Sequence, residues 1–229
     1  MRNITFLSLS LLLASPALAV VLPTADTADP IKPQHIEVTG LLTAGLGGFA
    51  VGAAGRIGFT KNVDGVVRMG TLLLDRGNFQ TQSTDTKEAT WKGGFEISSG
   101  LRYRLLQWDN ILSLAVLTDL AVAKSSDIIF YGLDPRLCIS HRRVTGPKTS
   151  LFFGLSVGAA VTHKDSGRTP PADQLPEQKN QVVEADHTRL GPLFSMAIGY
   201  GFTPKEFAVF DAGYRANEFQ ISLGLGRDF

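Results

Sequence analysis

The chain has 229 residues, 44% of them hydrophobic, with 22 basic and 21 acidic side chains giving a formal net charge of +1. So even a balance argues against a nucleic-acid partner, because binding a phosphate backbone needs a basic excess. The single cysteine, Cys138, excludes an intrachain disulfide framework and a cysteine-built metal site, and the length fits one domain.

The first 19 residues have the composition of a secretory signal. Arg2 supplies a positive start, an apolar run covers 6–13, and Pro16 breaks it. Ala17, Leu18 and Ala19 then place small residues where a signal peptidase cuts. The apolar run is short of the roughly 20 residues a membrane helix needs, so cleavage after Ala19 is expected. No cysteine follows it, which argues against a lipid anchor. Residues 20–34 contain Pro23, Pro30 and Pro33 and no periodicity, and they are expected to form a flexible periplasmic lead-in. Segment 41–55, with Gly45, Gly48 and Gly52, is too short and too glycine-rich for a spanning helix.

From His35 onward apolar residues recur at every second position, the period of a strand with two unlike faces. In 94–106, Phe95, Ile97, Leu101, Tyr103 and Leu105 share one face, and Glu96, Ser98, Gly100, Arg102 and Arg104 share the other. Leu112, Leu114, Val116, Leu120 and Val122 alternate in the same way with Ser113, Ala115, Asp119 and Ala121. The small, polar and charged residues on the second face suit a narrow curved interior. The apolar faces are also long, and a tilted strand needs about 9–11 residues to cross a bilayer.

Ten segments carry this pattern: 35–46, 49–60, 66–75, 88–106, 110–124, 128–142, 149–163, 187–202, 206–215 and 218–229. The weakest hairpin is at Gly47 and Gly48, and eight strands are the alternative. Even-to-odd connections, near 61–65, 107–110, 144–148 and 203–205, are short. The two longest, near 76–87 and 164–186, fall on the opposite side, as in up-and-down membrane barrels. The expected fold is all-β: a closed antiparallel transmembrane barrel over 35–229. Aromatics near strand ends, Phe59, Trp108, Phe202 and Phe229 on one side and Phe49, Trp91, Tyr214 and Phe219 on the other, fit interface girdles.

The last segment places Phe219, Ile221, Leu223 and Leu225 on one face and stops on Phe229. It resembles the terminal strand of small Gram-negative outer-membrane barrels, of the opacity-type and porin-like kind. That resemblance implies residence in the outer membrane among its lipids and lipopolysaccharide. It also implies that the barrel-assembly machinery reads these five residues. Arg227 departs from the pattern, since an apolar residue is usual there; a long Arg can reach the headgroups.

Two constellations are candidates for function. The inward faces supply Arg56, Arg68, Glu96, Arg102, Arg104, Asp119, Asp134, Arg136, Asp211 and Arg215, expected as an ionic network in the lumen. A barrel of this size is narrow enough for side chains to fill. An unpaired ion there is costly, so the charges should pair. The competing expectation is a narrow pore whose arginines favour anions. The second constellation is His163, Asp165, Ser166, Asp186 and His187, at the rim joined by the longest loop. A His, a carboxylate and a Ser hydroxyl are the parts of nucleophilic catalysis. Outer-membrane lipid A acyltransferases and deacylases, and the omptin proteases, work at that rim; the likeness of this chain to them stops at residue types, and none of their motifs is present. No phosphate-binding loop or metal-ligand spacing is present, so no cofactor is expected. The expected role is non-enzymatic: envelope structure, adhesion or ligand contact through surface loops.

Overall fold

A computed structural model describes residues 28–45, 48–75, 91–109, 111–125, 128–165, 187–216 and 218–229. Strict two-residue alternation folds as ten strands: β1 Ile36–Gly45, β2 Gly48–Gly58, β3 Val63–Asp75, β4 Trp91–Trp108, β5 Leu112–Ser125, β6 Ile128–Val144, β7 Ser150–Asp165, β8 His187–Gly201, β9 Glu206–Arg215 and β10 Glu218–Asp228. They run from 10 to 18 residues, well beyond the five or six typical of water-soluble proteins. Each pairs antiparallel with its neighbours in sequence, and β1 pairs with β10 to close the barrel. Leu42 stands opposite Val51 on one side and Leu223 on the other. Phe229 N–H donates to the Ile36 carbonyl at 2.8 Å, and His35 Nδ1 lies 3.1 Å from Asp228 Oδ1. Closure leaves no sheet edge and pairs the backbone around the ring. Ten strands, not eight, therefore form the barrel, and the hairpin between β1 and β2 is present.

Strand direction defines two ends. The start of β1, the end of β10 and the turns 59–62, 109–111, 145–149 and 202–205 lie at one, called here the terminal end. The connections 76–90 and 166–186 join strands at the other, the loop end. Both loops fall outside the described residues, as do the expected signal segment 1–19 and residues 20–27.

The radial distribution of residues is the inverse of a water-soluble protein's. Large apolar side chains point outward along every strand, Leu42, Val51, Met69, Leu101, Leu120 and Leu223 among them, each more than half exposed. Arg68, Glu96, Asp64 and Thr43 are among the most buried side chains. Toward the loop end Leu41, Leu72 and Phe130 belong to one buried cluster.

Two local expectations are corrected. β3 begins at Val63, not 66: the turn is 59–62, closed by Phe59 N–H to the Val63 carbonyl at 3.0 Å. Asp64 and Gly65, residues that favour turns, instead pair with both neighbouring strands. The larger correction concerns the lead-in. Residues 28–34 fold back into the barrel from the terminal end, and Ala28 is fully buried against Ala115, Leu117 and Cys138. Gln34, at φ 66°, turns the chain between this inner segment and β1.

Candidate functional site

The alternation that sends leucines outward sends one charged residue after another into the lumen, where no water-facing surface is available to solvate them. Asp119 on β5 sits between two guanidinium groups. Arg68 Nη1 on β3 lies 3.1 Å from its Oδ1, and Arg136 Nη2 on β6 donates to its Oδ2. Arg215 on β9 donates through Nε and Nη2 to the two oxygens of Asp134 on β6, at 2.7 and 2.9 Å. Nearer the terminal end, Arg56 on β2 donates to Asp64 at 2.9 Å and to Glu37 at 3.1 Å. Arg102 Nε lies 3.8 Å from the other oxygen of Asp64. Glu96 and Asp211 are buried in the same lumen. Glycines make room for these groups. A Cβ at Gly100 would collide with the Asp119 carboxylate, and one at Gly132 would come within 2.9 Å of Arg215 Nη2.

Arg104 stands apart from the others. A bulge between Arg104 and Leu106 interrupts the register, leaving both Leu105 and Leu106 exposed. The Arg104 guanidinium donates to the Lys61 carbonyl at 2.8 Å and to Asn62 Oδ1 at 3.0 Å, so it fastens the β2–β3 turn. A shallow cleft of about 290 Å³ lies there, lined by Lys61, Asn62 and residues 104–107.

Three acidic residues of the lumen were not foreseen. Glu37 lies two places before Thr39 on the inward face of β1, so extending the alternation backwards finds it. Asp64 shares a parity with Val66 and Arg68 but was hidden by its turn-like neighbours. Asp29 lies in the prolyl segment, where no periodicity places it.

Such an arrangement is built to hold shape. Arg56, Arg68, Arg136 and Arg215 are each committed to carboxylates, whereas Arg104 is held by a carbonyl and an amide oxygen. No described hydroxyl or thiol is paired with a histidine and an acid as a nucleophile requires. At the loop-end rim, His163 Nδ1 lies 3.0 Å from Thr188 Oγ1, and its ring centroid is 6.1 Å from that of Tyr131. His163 lies directly opposite Tyr131 in the β6–β7 register, which places it on the barrel's outer face. Asp165 follows on that face; Ser166, Asp186 and the His187 side chain lie outside the described residues. Among the described residues no group of three or more His, Cys, Asp or Glu is placed to hold a metal ion.

On the exterior, Phe219, Ile221, Leu223 and Leu225 form an exposed row on β10 that ends at Phe229. Arg227 lies on the same face, 3.8 Å from Glu206 and 5.5 Å from the centroid of the Phe229 ring.

No protein-family model matches the chain, and no curated protein sequence does. Solved structures similar in fold include outer-membrane proteins. One is a KdgM porin: TM-score 0.37, 8% identity, 84% of this chain and 99% of that one covered. Another is the N-terminal β-barrel domain of Pseudomonas aeruginosa OprF: 0.34, 11%, 86% and 98%. A third is the outer membrane protease OmpT from Escherichia coli: 0.45, 10%, 89% and 100%. At these identities the likeness is one of architecture alone.

Proposed function

We propose that this protein is an integral outer-membrane barrel whose lumen is held shut by paired charges. Its terminal end faces the periplasm, and its working surface is the end joined by 76–90 and 166–186. There it serves envelope structure, adhesion or ligand contact, without catalysis. Lipopolysaccharide and the other outer-membrane lipids surround it, and the barrel-assembly machinery inserts it after export and cleavage behind Ala19. The observation that most supports a shut lumen is the Arg68–Asp119–Arg136 triad. It joins β3, β5 and β6 inside the ring with every member buried or nearly so, where an anion path would need solvated, uncommitted arginines. An apolar exterior over ten long strands supports the membrane setting.

Liposome swelling tests the shut lumen in the purified full chain. Vesicles containing the barrel should swell in an isotonic pentose solution no faster than protein-free vesicles; faster swelling overturns a shut lumen. The non-catalytic role is tested in cells by His163→Ala. Lipid A from cells carrying this variant should match that from wild type, and an altered acylation pattern would restore the rim enzyme.

A further inference from the structure

The segment that enters the barrel at the terminal end is held by the wall with the pattern of a bound peptide. Ala28 N–H donates to Ser140 Oγ at 2.9 Å. The Asp29 carboxylate accepts from Ser113 Oγ and, at 3.5 Å, from Ser140 Oγ. Its carbonyl accepts from Arg56 Nη2 at 3.2 Å and Arg102 Nη1 at 3.1 Å. Ile31 N–H then donates to Asp64 Oδ2 at 2.9 Å. Gly58 leaves the space that the Lys32 carbonyl needs, since a Cβ there would collide with it, and Gln34 N–H donates to the Gly58 carbonyl at 3.0 Å.

Most of these contacts are to the main chain, and one side chain, that of Asp29, is read by two hydroxyls. Pro30 and Pro33 have no N–H to satisfy. Each also biases its preceding residue toward extended conformations, so the segment enters with little conformational entropy to lose. The wall residues come from five consecutive strands, β2 to β6. They would present the same donors and acceptors to any chain of that shape.

We propose that the terminal end of the lumen is a binding site for an extended, aspartate-containing peptide, occupied in cis by the protein's own residues 28–32. Tethering to β1 gives the internal copy an effective concentration of the order of millimolar. A peptide of the same pattern from another periplasmic protein therefore competes well only when the strap is weakened or drawn out.

Cys138, fully buried in the cluster with Ala28, is a built-in reporter of occupancy. The full-length barrel in detergent micelles is treated with a small cationic methanethiosulfonate. Wild type should react slowly. Asp29→Ala, which removes the ligand of Ser113 and Ser140, should react about tenfold faster, the equivalent of one charged hydrogen bond. Adding an N-acetylated peptide of residues 28–34 should slow that variant toward the wild-type rate, while the same peptide with alanine in place of aspartate should not. Should Asp29→Ala fail to fold, Ser113→Ala takes its place with the same expected order of rates. Equal labelling of variant and wild type would overturn the proposal. So would a failure of the peptide to protect, or equal protection by both peptides.

Discussion

Arg215 on β9 reaches past β8 and β7 to grip Asp134 on β6 through two N–H···O bonds of 2.7 and 2.9 Å. A bidentate pair of this kind spans the lumen as a chord and fixes the distance between strands that share no backbone ladder. Removing one partner strands the other charge. Asp134→Ala should therefore cost about 3–5 kcal/mol in reversible urea unfolding of the folded barrel. Asp134→Leu combined with Arg215→Met should recover most of that loss, as expected when both charges leave together. A double variant as weak as the single one would contradict the pairing.

Asp119 is the shared acceptor of Arg68 and Arg136. Asp119→Asn keeps the side chain's size, so it still fits opposite Gly100, but it leaves the centre of the lumen one negative charge short. The expected cost is about 3 kcal/mol, with the heat-modifiable band in a gel shift lost at a lower temperature than in wild type.

Much of the architecture was legible in the sequence because lipid outside and packed side chains inside both enforce a strict period of two. Ten strands and their closure follow from that period. Where the period fails, so does the reading. Arg104 alternates correctly, but β3 begins opposite Tyr103, so Arg104 meets the Lys61–Asn62 turn instead of a lumen partner. Asp64 has turn-favouring neighbours, and composition outweighed parity. His163 shares parity with Val161, a cue that it faces outward, which its place among polar loop residues obscured. Asp29 had no signal at all: its position is set by Ser113, Ser140, Arg56 and Arg102, which lie far away in sequence.

The outer face is tested by a charge. Leu223 stands near the middle of β10, exposed to 58%, with Leu42 and Phe210 beside it. Leu223→Arg should cost about 2–4 kcal/mol in a bilayer, the price of an arginine near the midplane. Next to it, Ser222→Ala loses only the inward contact to Thr43 Oγ1 at 3.0 Å and should cost about 1 kcal/mol. Equal effects at the two positions would contradict the assignment of faces.

Phe229 carries two contacts that a truncation would remove, its N–H to the Ile36 carbonyl and its ring beneath Arg227. Deleting it should lower the amount of assembled barrel in the outer-membrane fraction and raise degraded or aggregated protein in the periplasm. Quantitative immunoblotting of the two fractions reads this out. An undiminished heat-modifiable band would show that the terminal residue is not needed for insertion.

Single-channel recording on the full-length chain in a planar bilayer tests the central claim most directly. A lumen closed by the Arg68–Asp119–Arg136 and Arg215–Asp134 pairs should give no stable conductance above the bare membrane at either polarity. Steady, anion-selective openings would contradict it.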